Sequence, residues 1–306
     1  LCRLLRPLYP KRLERCVHIV KVSNLNQIIS FINTSSDTLA SYIYKLHTSK
    51  GDVEQLLNES IHTTGVFCLI EDDSIVALIT GILYEEDKYK VIGPFVSKDF
   101  TLTDNHFISL FSTLMESQSD HATFNFSYND CAQDSKPLMK LIHANYNFTD
   151  YYLNVYKSLN EPESDFNIIE YQPGFQRAFS KLHEQTFRHN ALTPKEIVNT
   201  LDEHNRLFLF VSEGLLKGYL YLQIDTLSSL AEIRYFSSHT DYRLKGIAFD
   251  LLSYAIHYAF EHYSIDKVYF KIRSKNATLV ERFNELGFEI ESEYTKYKID
   301  PSQLNY

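Results

Sequence analysis

Three residues in the second half of the chain have the types and spacing that suit anion binding. Arg243, Gly246 and Ala248 form the pattern Arg-x-x-Gly-x-Ala directly after a strand-like run at 231–238. The first turn of a helix carries backbone N–H groups without helical partners, and the helix dipole adds positive potential there. Gly246 lets a phosphate approach the backbone closely, and Arg243 adds a fixed positive charge. The pattern therefore predicts a site for a phosphorylated ligand.

The elements around this pattern are predicted to be a strand and a long helix. Apolar residues from Leu244 to Phe260 recur at i, i+3, i+4 and i+7, which gives the helix one buried face. The run 267–272 is typical of a further strand, and 276–288 is typical of a short helix closed by Gly287. The anion site is therefore expected where a strand ends and a helix begins.

This succession of elements resembles the GNAT N-acetyltransferase superfamily. Members of that family carry the Arg- or Gln-x-x-Gly-x-Gly or Ala turn after their fourth strand, and an asparagine and a Gly-Phe pair flank a later helix. Asn276 and Gly287-Phe288 occupy those places here. The resemblance covers residues 207–298 well and residues 166–206 loosely. It implies an α/β (α+β) fold with a mixed, mostly antiparallel twisted sheet flanked by helices, and it implies acetyl-CoA as co-substrate.

The resemblance also suggests which residues bind acetyl-CoA. The turn and the helix start would bind the pyrophosphate, through Arg243, Leu244, Lys245, Gly246, Ile247 and Ala248. The backbone N–H groups near Phe236, Ser238 and His239 would bind the pantetheine arm and polarise the thioester carbonyl. Asn276 would hydrogen-bond the pantetheine, cap the following helix, or do both.

Glu232 is the candidate general base. It lies on the strand before the anion site, where many family members carry a glutamate that removes the proton of the amine, often through water. An alternative role is an ion pair with Arg234, because the period of two in a strand places both side chains on one face. The two roles predict different responses to mutation.

The residue that would protonate the leaving thiolate differs from the family pattern. Many members have a tyrosine seven residues after the motif asparagine, whereas this chain has Phe283. A thiol with a pKa of about 8.5 can leave as a thiolate without full protonation, so activity is compatible with Phe283. The tyrosines considered as substitutes are Tyr235, Tyr294 and Tyr297.

The acceptor specificity of the family comes from two helices after the first strand. Here the first strand is predicted at 166–171 and the first helix at 175–187, and Thr193-Pro194 begins the second helix as part of a capping box. Candidates for contact with the acceptor are His183, Glu184, Arg188 and His189. The alternative for each of them is a solvated helix face or loop.

The chain repeats one pattern at a spacing of about 140 residues. Residues 66–73 match residues 207–214, since both are buried strands that end in a tight acidic turn. A polar stretch punctuated by Pro162 separates the two copies. We therefore predict two tandem GNAT-like domains. The expected boundaries are an extension at 1–16, a degenerate first domain at 17–158, a linker at 159–164 and an acetyltransferase domain at 165–306.

The first copy lacks the anion-binding turn. It contains no glycine between Pro94 and Pro173, and Asp99 and Asp104 would repel a pyrophosphate. Close approach of a phosphate to the backbone is hindered without a glycine at the turn. The first copy is therefore expected to be a structural or substrate-shaping partner, in the place that a second subunit takes in dimeric family members.

The composition limits the classes of protein to which this chain is expected to belong. The chain has 306 residues, of which 44% are hydrophobic and 23% charged, which fits two globular domains. The four cysteines have no metal-ligand spacing and fit reduced thiols of a cytoplasmic protein, and the scattered histidines suggest no metal site. No apolar run reaches the length of a membrane span. The basic segment 1–16 is expected to lie outside the fold; a membrane anchor or a targeting peptide is the alternative.

The sequence thus predicts an acetyl-CoA-dependent N-acetyltransferase that modifies an amine of a small molecule or peptide. A non-catalytic acyl-CoA-binding module is the first alternative, because of Phe283 and the degenerate first copy. An aminoacyl transferase that uses charged tRNA is the second, but the net charge of −9 disfavours a nucleic-acid partner. The chain is expected to be a monomer or a weak dimer.

Overall fold

The computed structural model describes residues 17–42, 50–129, 135–157, 167–187, 191–239 and 246–300. The chain divides into two compact units. The first takes its described residues from 17–42, 51–146 and 297–300, and the second from 147–296. No helix among the described residues is long and apolar enough to cross a membrane.

The first unit contains five strands in the order β1-β2-β3-β4-β5. All neighbours are antiparallel except β4 and β5, which are parallel. Its elements in chain order are β1 (Val17–Val22), α1 (Leu25–Thr34), α2 (Lys50–His62), β2 (Val66–Glu71), β3 (Ser74–Glu85), β4 (Lys88–Val96), α3 (Asp104–Glu116), β5 (Thr123–Asn129) and α4 (Ser135–Leu141).

The second unit contains the sheet β12-β6-β11-β10-β9-β8-β7, in which β10 and β11 are parallel. The elements that continue the chain are β6 (Asn145–Val155), β7 (Ile168–Glu170), α5 (Gln176–Thr186), α6 (Pro194–Asn199), β8 (Asn205–Ser212), β9 (Leu215–Asp225), β10 (Leu230–Ser238), α7 (Ile247–His262), β11 (Lys267–Arg273), α8 (Ala277–Glu285) and β12 (Glu289–Ile299). The mixed, mostly antiparallel sheet with flanking helices confirms the predicted fold class.

The strand β6 corrects the boundaries expected from the sequence. It pairs antiparallel with β11 over six residues, from Val155 opposite Val268 to Asp150 opposite Arg273. Residues 147–157, which were expected in the first domain, therefore belong to the second unit, while residues 297–300 belong to the first. The ladder of hydrogen bonds between β6 and β11 explains the difference. The expected linker at 159–164 and extension at 1–16 lie outside the described residues.

The sheet of the second unit separates two hydrophobic layers, and the strand period of two decides which side chain enters which layer. On β9, Leu220 and Leu222 pack in the layer formed with α7 and α8. Tyr219 and Tyr221 pack in the opposite layer, which contains α5 and α6. Large aliphatic and aromatic side chains on both faces are typical of a fully covered sheet. Two helices therefore support each face of the strands that form the site.

The predicted helix starts are confirmed. Thr193 and Glu196 form the expected capping box, with Pro194 in the first turn of α6. The helix α7 begins at Ile247, directly after Gly246. Local sequence signals were sufficient for both starts because caps and backbone conformations are local properties.

Candidate active site

The parallel strands β10 and β11 pair only at their beginnings. The register runs from Leu230 opposite Lys267 to Ile233 opposite Phe270 and then stops. Beyond Ile233, β10 continues to Ser238 alongside β9 alone, while β11 continues alongside β6. The two strands therefore separate within the sheet and leave a cleft between them.

A β-bulge on β10 lies at the point where this cleft begins. On β10, the register with β9 shifts between Ile233 and Tyr235, so Arg234 is the extra residue. The extra residue reverses the alternation of the side chains. Phe236 consequently packs in the layer that contains α7, and Tyr235 in the layer that contains α5.

The backbone of β10 beyond the bulge presents hydrogen-bond donors to the cleft. The N–H of His239 donates to the carbonyl oxygen of Lys217 on β9, at 2.8 Å. Because hydrogen-bonded pairs alternate in an antiparallel ladder, the N–H groups of Phe236 and Ser238 point away from β9, toward the cleft. The expected binding role of His239 is thereby corrected, since its N–H is engaged in the ladder.

Gly246 forms the start of α7 in a conformation that favours glycine. Its φ is +79° and its ψ is −9°, and a Cβ placed on it would meet nothing within 4 Å. Its carbonyl accepts from the N–H groups of Phe249 and Asp250. The N–H groups of Ile247 and Ala248 therefore precede the first intrahelical bond, and they have no helical acceptor. The open space and these donors fit a phosphate group.

The helix start and the cleft lie at the same end of the sheet. Gly218 stands opposite Ser238 in the register of β9 and β10. A Cβ on Gly218 would lie 3.0 Å from Cγ2 of Ile247 and 3.2 Å from Cδ1 of Leu251. The absence of a side chain at Gly218 thus lets α7 begin directly over the end of β10, and the N–H groups of both elements converge on this end of the cleft.

Glu232 lies on β10 two residues before the bulge residue Arg234, and the two side chains are close to each other. The Oε2 atom of Glu232 is 3.8 Å from the guanidinium of Arg234, which donates in turn to Oε1 of Gln223 at 2.9 Å. Burial alone would lower the pKa of Arg234, but the charge of Glu232 and the hydroxyl of Tyr235 hold it above its ordinary value. The side chains of Glu232 and Arg234 remain 18% and 29% exposed. Glu232 is thus both in the ion pair expected as an alternative and accessible to a small molecule.

A buried polar cluster occupies the face of the sheet that carries Glu232. His183 on α5 is 2% exposed, and its Nδ1 lies 2.6 Å from the hydroxyl of Tyr219. Its Nε2 lies 2.8 Å from the carbonyl oxygen of Leu192. Of the acceptor candidates, His183 is therefore a buried, hydrogen-bonded group, and Glu184 is exposed. Arg188 and His189 lie outside the described residues.

Two residues on the other side of the cleft differ in their exposure, and so in whether a ligand can reach their side chains. Asn276 occupies the N-cap position of α8, but its exposed side chain makes no capping hydrogen bond. Of the two roles expected for this side chain, the capping bond is thus not formed. Phe283 is fully buried and stacks on Phe270, with ring centroids 4.7 Å apart. The position of the family tyrosine is therefore filled by a core side chain without a hydroxyl.

The first unit contains a related separation of strands, which its own chain fills. β4 and β5 pair only from Lys88 opposite Thr123 to Lys90 opposite Asn125. Beyond that point the segment 36–42, which we call the inserted segment, bridges the two strands. Its Ser36 and Ser41 form bridges with Val96 and Gly93 of β4.

Ser41 holds the inserted segment to both strands. Its backbone exchanges hydrogen bonds of 2.8 and 3.0 Å with Gly93. Its fully buried hydroxyl donates to the carbonyl of Val91 at 2.7 Å and accepts from the N–H of Ser127 at 2.9 Å. The following N–H, of Tyr42, donates to the carbonyl of Ser127 at 2.8 Å. The strand edges that line the cleft in the second unit are thus occupied by the chain in the first.

Some of the expected site residues lie outside the described part of the chain. Some residues of the site, in turn, were not predicted from the sequence. Arg243, Leu244 and Lys245 lie outside the described residues. Among the described residues no group of three or more His, Cys, Asp or Glu side chains could hold a metal ion. Sequence reasoning missed Gln223 and Leu192. The short loop between β9 and β10 could have placed Gln223 opposite Glu232, because the loop of a hairpin fixes its register, but no local signal identifies Leu192.

The comparison with protein families gives a match within the second part of the chain. The model described as "Acetyltransferase (GNAT) family" matches residues 167–288, which include Glu232, Gly246 and Asn276. A search of curated protein sequences finds no match.

Solved structures with the same fold cover both units. A GCN5-related N-acetyltransferase from Sphaerobacter thermophilus aligns with a TM-score of 0.68 at 12% identity, over 93% of this chain and 96% of that one. A tandem GNAT protein from the clavulanic acid biosynthesis pathway aligns with a TM-score of 0.62 at 10% identity, over 93% and 98%. A GNAT-family acetyltransferase from Colwellia psychrerythraea gives 0.60 at 12% identity, over 92% and 100%. The chain is thus similar in fold to these proteins over nearly its full length.

Proposed function

We propose that this chain is an acetyl-CoA-dependent N-acetyltransferase that modifies an amine of a small molecule or peptide. The match of residues 167–288 to the model of the GNAT acetyltransferase family supports the proposal. The observation that carries the proposal is the separation of β10 from β11 after Ile233. It exposes the N–H groups of Phe236 and Ser238 at the end of the sheet where α7 begins.

The residues present fit acetyl-CoA. An extended chain with amide groups can pair with a strand edge, and the outward N–H groups of Phe236 and Ser238 offer such an edge. The N–H groups of Ile247 and Ala248, which have no helical acceptor, and the open space at Gly246 suit a pyrophosphate at the helix start. Bound acetyl-CoA would supply the thioester whose carbonyl carbon the amine attacks. Asn276, whose side chain is exposed, would hydrogen-bond the same ligand from the opposite side of the cleft.

Glu232 has the properties required of a base for the acceptor amine. An amine must lose a proton to become nucleophilic, and a carboxylate accepts that proton directly or through water. Glu232 is largely buried but still accessible, and its carboxylate lies 3.8 Å from the guanidinium of Arg234. The donors of β10 would stabilise negative charge on the oxygen of the attacked carbonyl. We therefore assign the base to Glu232 and the carbonyl contact to the backbone beyond the bulge.

The first unit is proposed to bind no acetyl-CoA. The inserted segment 36–42 uses the edges of β4 and β5 that an extended ligand would need. We expect one acetyl-CoA site per chain, in the second unit. The absence of a nucleic-acid partner, a cytoplasmic location and a monomeric or weakly dimeric state are further proposals, and they rest on the sequence.

A second candidate function is acyl-CoA binding without transfer. The observation that favours it is Phe283, which fills the family tyrosine position with a buried ring that cannot donate a proton. Both candidates predict binding of acetyl-CoA, so only turnover separates them.

The test combines binding and turnover on the full chain. Calorimetry with acetyl-CoA measures affinity and stoichiometry, and a free-thiol assay measures acetyl transfer to tyramine, spermidine and tri-alanine against a blank without amine. We expect a stoichiometry near one and amine-dependent release of thiol. Binding without amine-dependent release for any of these amines would favour the second candidate, and an absence of binding would contradict both.

A further inference from the structure

One residue between α5 and α6, Leu192, is held at both of its backbone polar groups by side chains. Its N–H donates to the hydroxyl oxygen of Tyr235 at 3.0 Å. Its carbonyl oxygen lies 2.8 Å from Nε2 of His183. The two side chains come from different elements, since Tyr235 is on β10 and His183 is on α5. We call this arrangement the Leu192 clamp.

The protons in the clamp follow from the partners. A carbonyl oxygen can only accept, so Nε2 of His183 carries the proton that is donated to Leu192. Nδ1 of the neutral ring then accepts from the hydroxyl of Tyr219, 2.6 Å away. Burial lowers the pKa of His183 and raises the pKa of Tyr219, which keeps both groups uncharged near neutral pH. His183 is thus fixed at both ring nitrogens, and its donor points at Leu192.

The aromatic rings around the clamp limit its movement. The rings of His183 and Tyr235 are perpendicular, with centroids 5.2 Å apart, and Phe187 packs on both. A hydrogen bond of 2.7 Å between Thr186 and Ser237 also joins α5 to β10. A side chain held by several partners loses little further freedom when a ligand binds beside it.

The clamp lies beside the proposed base. Tyr235 directly follows the bulge residue Arg234, whose guanidinium carbon is 6.0 Å from the centre of the Tyr235 ring. The same guanidinium lies 3.8 Å from Glu232. The bulge places Tyr235 on the face of the sheet that carries Glu232, and Leu192 packs in the same layer as Tyr235.

We propose that His183 and Tyr235 are positioning residues, which act through Leu192 to fix residues 191–193 as a wall of the acceptor site next to Glu232. The proposal rests on the proposed acetyl transfer for the identity of the site. Neither side chain needs to touch the reacting atoms. Loss of the clamp should weaken binding of the acceptor, and it should leave binding of acetyl-CoA unchanged.

Matched substitutions distinguish the loss of the contacts with Leu192 from a general loss of stability. His183→Gln can place an amide N–H near the position of Nε2–H and so keep the bond to Leu192. His183→Asn can keep a partner for Tyr219, but its side chain is too short to reach Leu192. Tyr235→Phe removes the acceptor of the Leu192 N–H, whereas Tyr219→Phe removes a hydroxyl that does not contact Leu192.

The experiment measures the kinetics of the tyramine, spermidine or tri-alanine reaction that is fastest in the wild type, together with hydrogen exchange at the Leu192 amide. We expect His183→Asn and Tyr235→Phe to raise the acceptor KM about tenfold or more, the equivalent of about 1.4 kcal/mol. Their kcat should change less than about threefold, and their affinity for acetyl-CoA should match the wild type. Both should speed exchange at Leu192, whereas His183→Gln and Tyr219→Phe should not.

The double variant His183→Asn with Tyr235→Phe provides a further check. Because both side chains hold one residue, its effect on KM should be smaller than the product of the two single effects. Equal behaviour of the Asn and Gln variants, a loss confined to kcat, or unchanged exchange at Leu192 would overturn the proposal. If the wild type acetylates none of the three amines, the proposed function fails, and the exchange at Leu192 alone then decides whether the clamp exists.

Discussion

The carboxylate of Glu232 lies 3.8 Å from the guanidinium of Arg234, and both side chains are partly accessible to solvent. The pair reconciles two roles that the sequence left as alternatives. A carboxylate that pairs with a cation and is still reached by solvent can also accept the proton of an amine. The two roles can nevertheless be separated experimentally, because only the base affects the chemical step.

The first prediction concerns Glu232→Gln. The substitution keeps the size and part of the hydrogen bonding but cannot accept a proton. Turnover should fall by about 10²–10⁴-fold near neutral pH, which is the usual contribution of general-base catalysis. Affinity for acetyl-CoA should be nearly unchanged, and the defect should shrink at high pH, where more of the amine is already neutral. Measurement of turnover against pH beside a thermal melt checks this.

The contrary outcome for Glu232 is equally specific. If the carboxylate only pairs with Arg234, the Gln variant should melt at a lower temperature and keep its rate. Arg234→Gln serves as the control, since it breaks the same ion pair and retains the carboxylate. A wild-type rate in Glu232→Gln would remove this residue from the mechanism.

The second prediction concerns the backbone at the start of α7. Gly246 has a φ of +79°, which a β-branched residue adopts poorly, and it directly precedes the first turn of α7. Gly246→Val should therefore weaken binding of acetyl-CoA more than about tenfold, or about 1.4 kcal/mol. Calorimetry of the folded variant gives the affinity.

Gly214 offers a matched control for Gly246. It lies in the turn between β8 and β9 with a φ of +73°, and a Cβ placed there would also meet nothing within 4 Å. Gly214→Val introduces comparable backbone strain in a turn between two strands, which offers no helix N-terminus to a pyrophosphate. It should lower stability and leave the affinity for acetyl-CoA unchanged. Equal affinities in both variants would show that the pyrophosphate binds elsewhere.

The third prediction concerns the inserted segment of the first unit. Ser41→Ala would leave the buried carbonyl of Val91 and the N–H of Ser127 without the hydroxyl that now joins them. An unsatisfied buried group costs about 1–3 kcal/mol, so the free energy of unfolding should fall by at least that amount. Affinity and stoichiometry for acetyl-CoA should stay at the wild-type values. Urea titration and calorimetry measure these two properties.

Ser60 provides the control for Ser41. It is equally buried, but its hydroxyl donates only to the carbonyl of Leu56 within α2. Ser60→Ala should therefore cost much less stability than Ser41→Ala. A second molecule of acetyl-CoA bound by the wild type would contradict the assignment of one site per chain.

The sequence predicted those parts of the site that depend on local structure. Gly246 and the capping box at Thr193 were identified because left-handed glycines and helix caps leave signatures within a few residues. The match between the two copies likewise indicated a repeated fold, and the likeness in fold to a solved tandem GNAT protein is consistent with it. These features require no knowledge of which strands become neighbours.

The remaining features depend on the choice of neighbours. Each of these features depends on which strand edge becomes the partner of a given segment. They are the bulge at Arg234, the pairing of β6 with β11 and the inserted segment at Ser41. Period and composition are the same for each possible partner, so the sequence alone does not distinguish among them. The role of Leu192 was missed for a related reason, since its contacts are made by its backbone and not by its side chain.

The fourth prediction uses the protonation of His183. Burial lowers the pKa of this side chain below its ordinary value of 6.5, so the folded protein binds the proton less readily than the unfolded chain. The unfolded chain therefore carries more protons at acidic pH. Stability should be fully present above pH 6.5 and should decrease as the pH falls through that value toward the folded pKa. For a single group the slope is at most about 1.4 kcal/mol per pH unit.

The control for this pH dependence is His183→Gln, which keeps a donor for Leu192 and does not titrate. The free energy of unfolding is measured by urea titration from about pH 7.5 to about pH 5.5, on both sides of the ordinary histidine value. The other histidines are present in both proteins, so the difference between the two slopes isolates His183. We expect the wild type to lose more stability than the variant over this range. Parallel pH dependences would show that His183 accepts a proton in the folded protein as readily as in the unfolded chain, and the lowered pKa assigned to its buried ring would then be wrong.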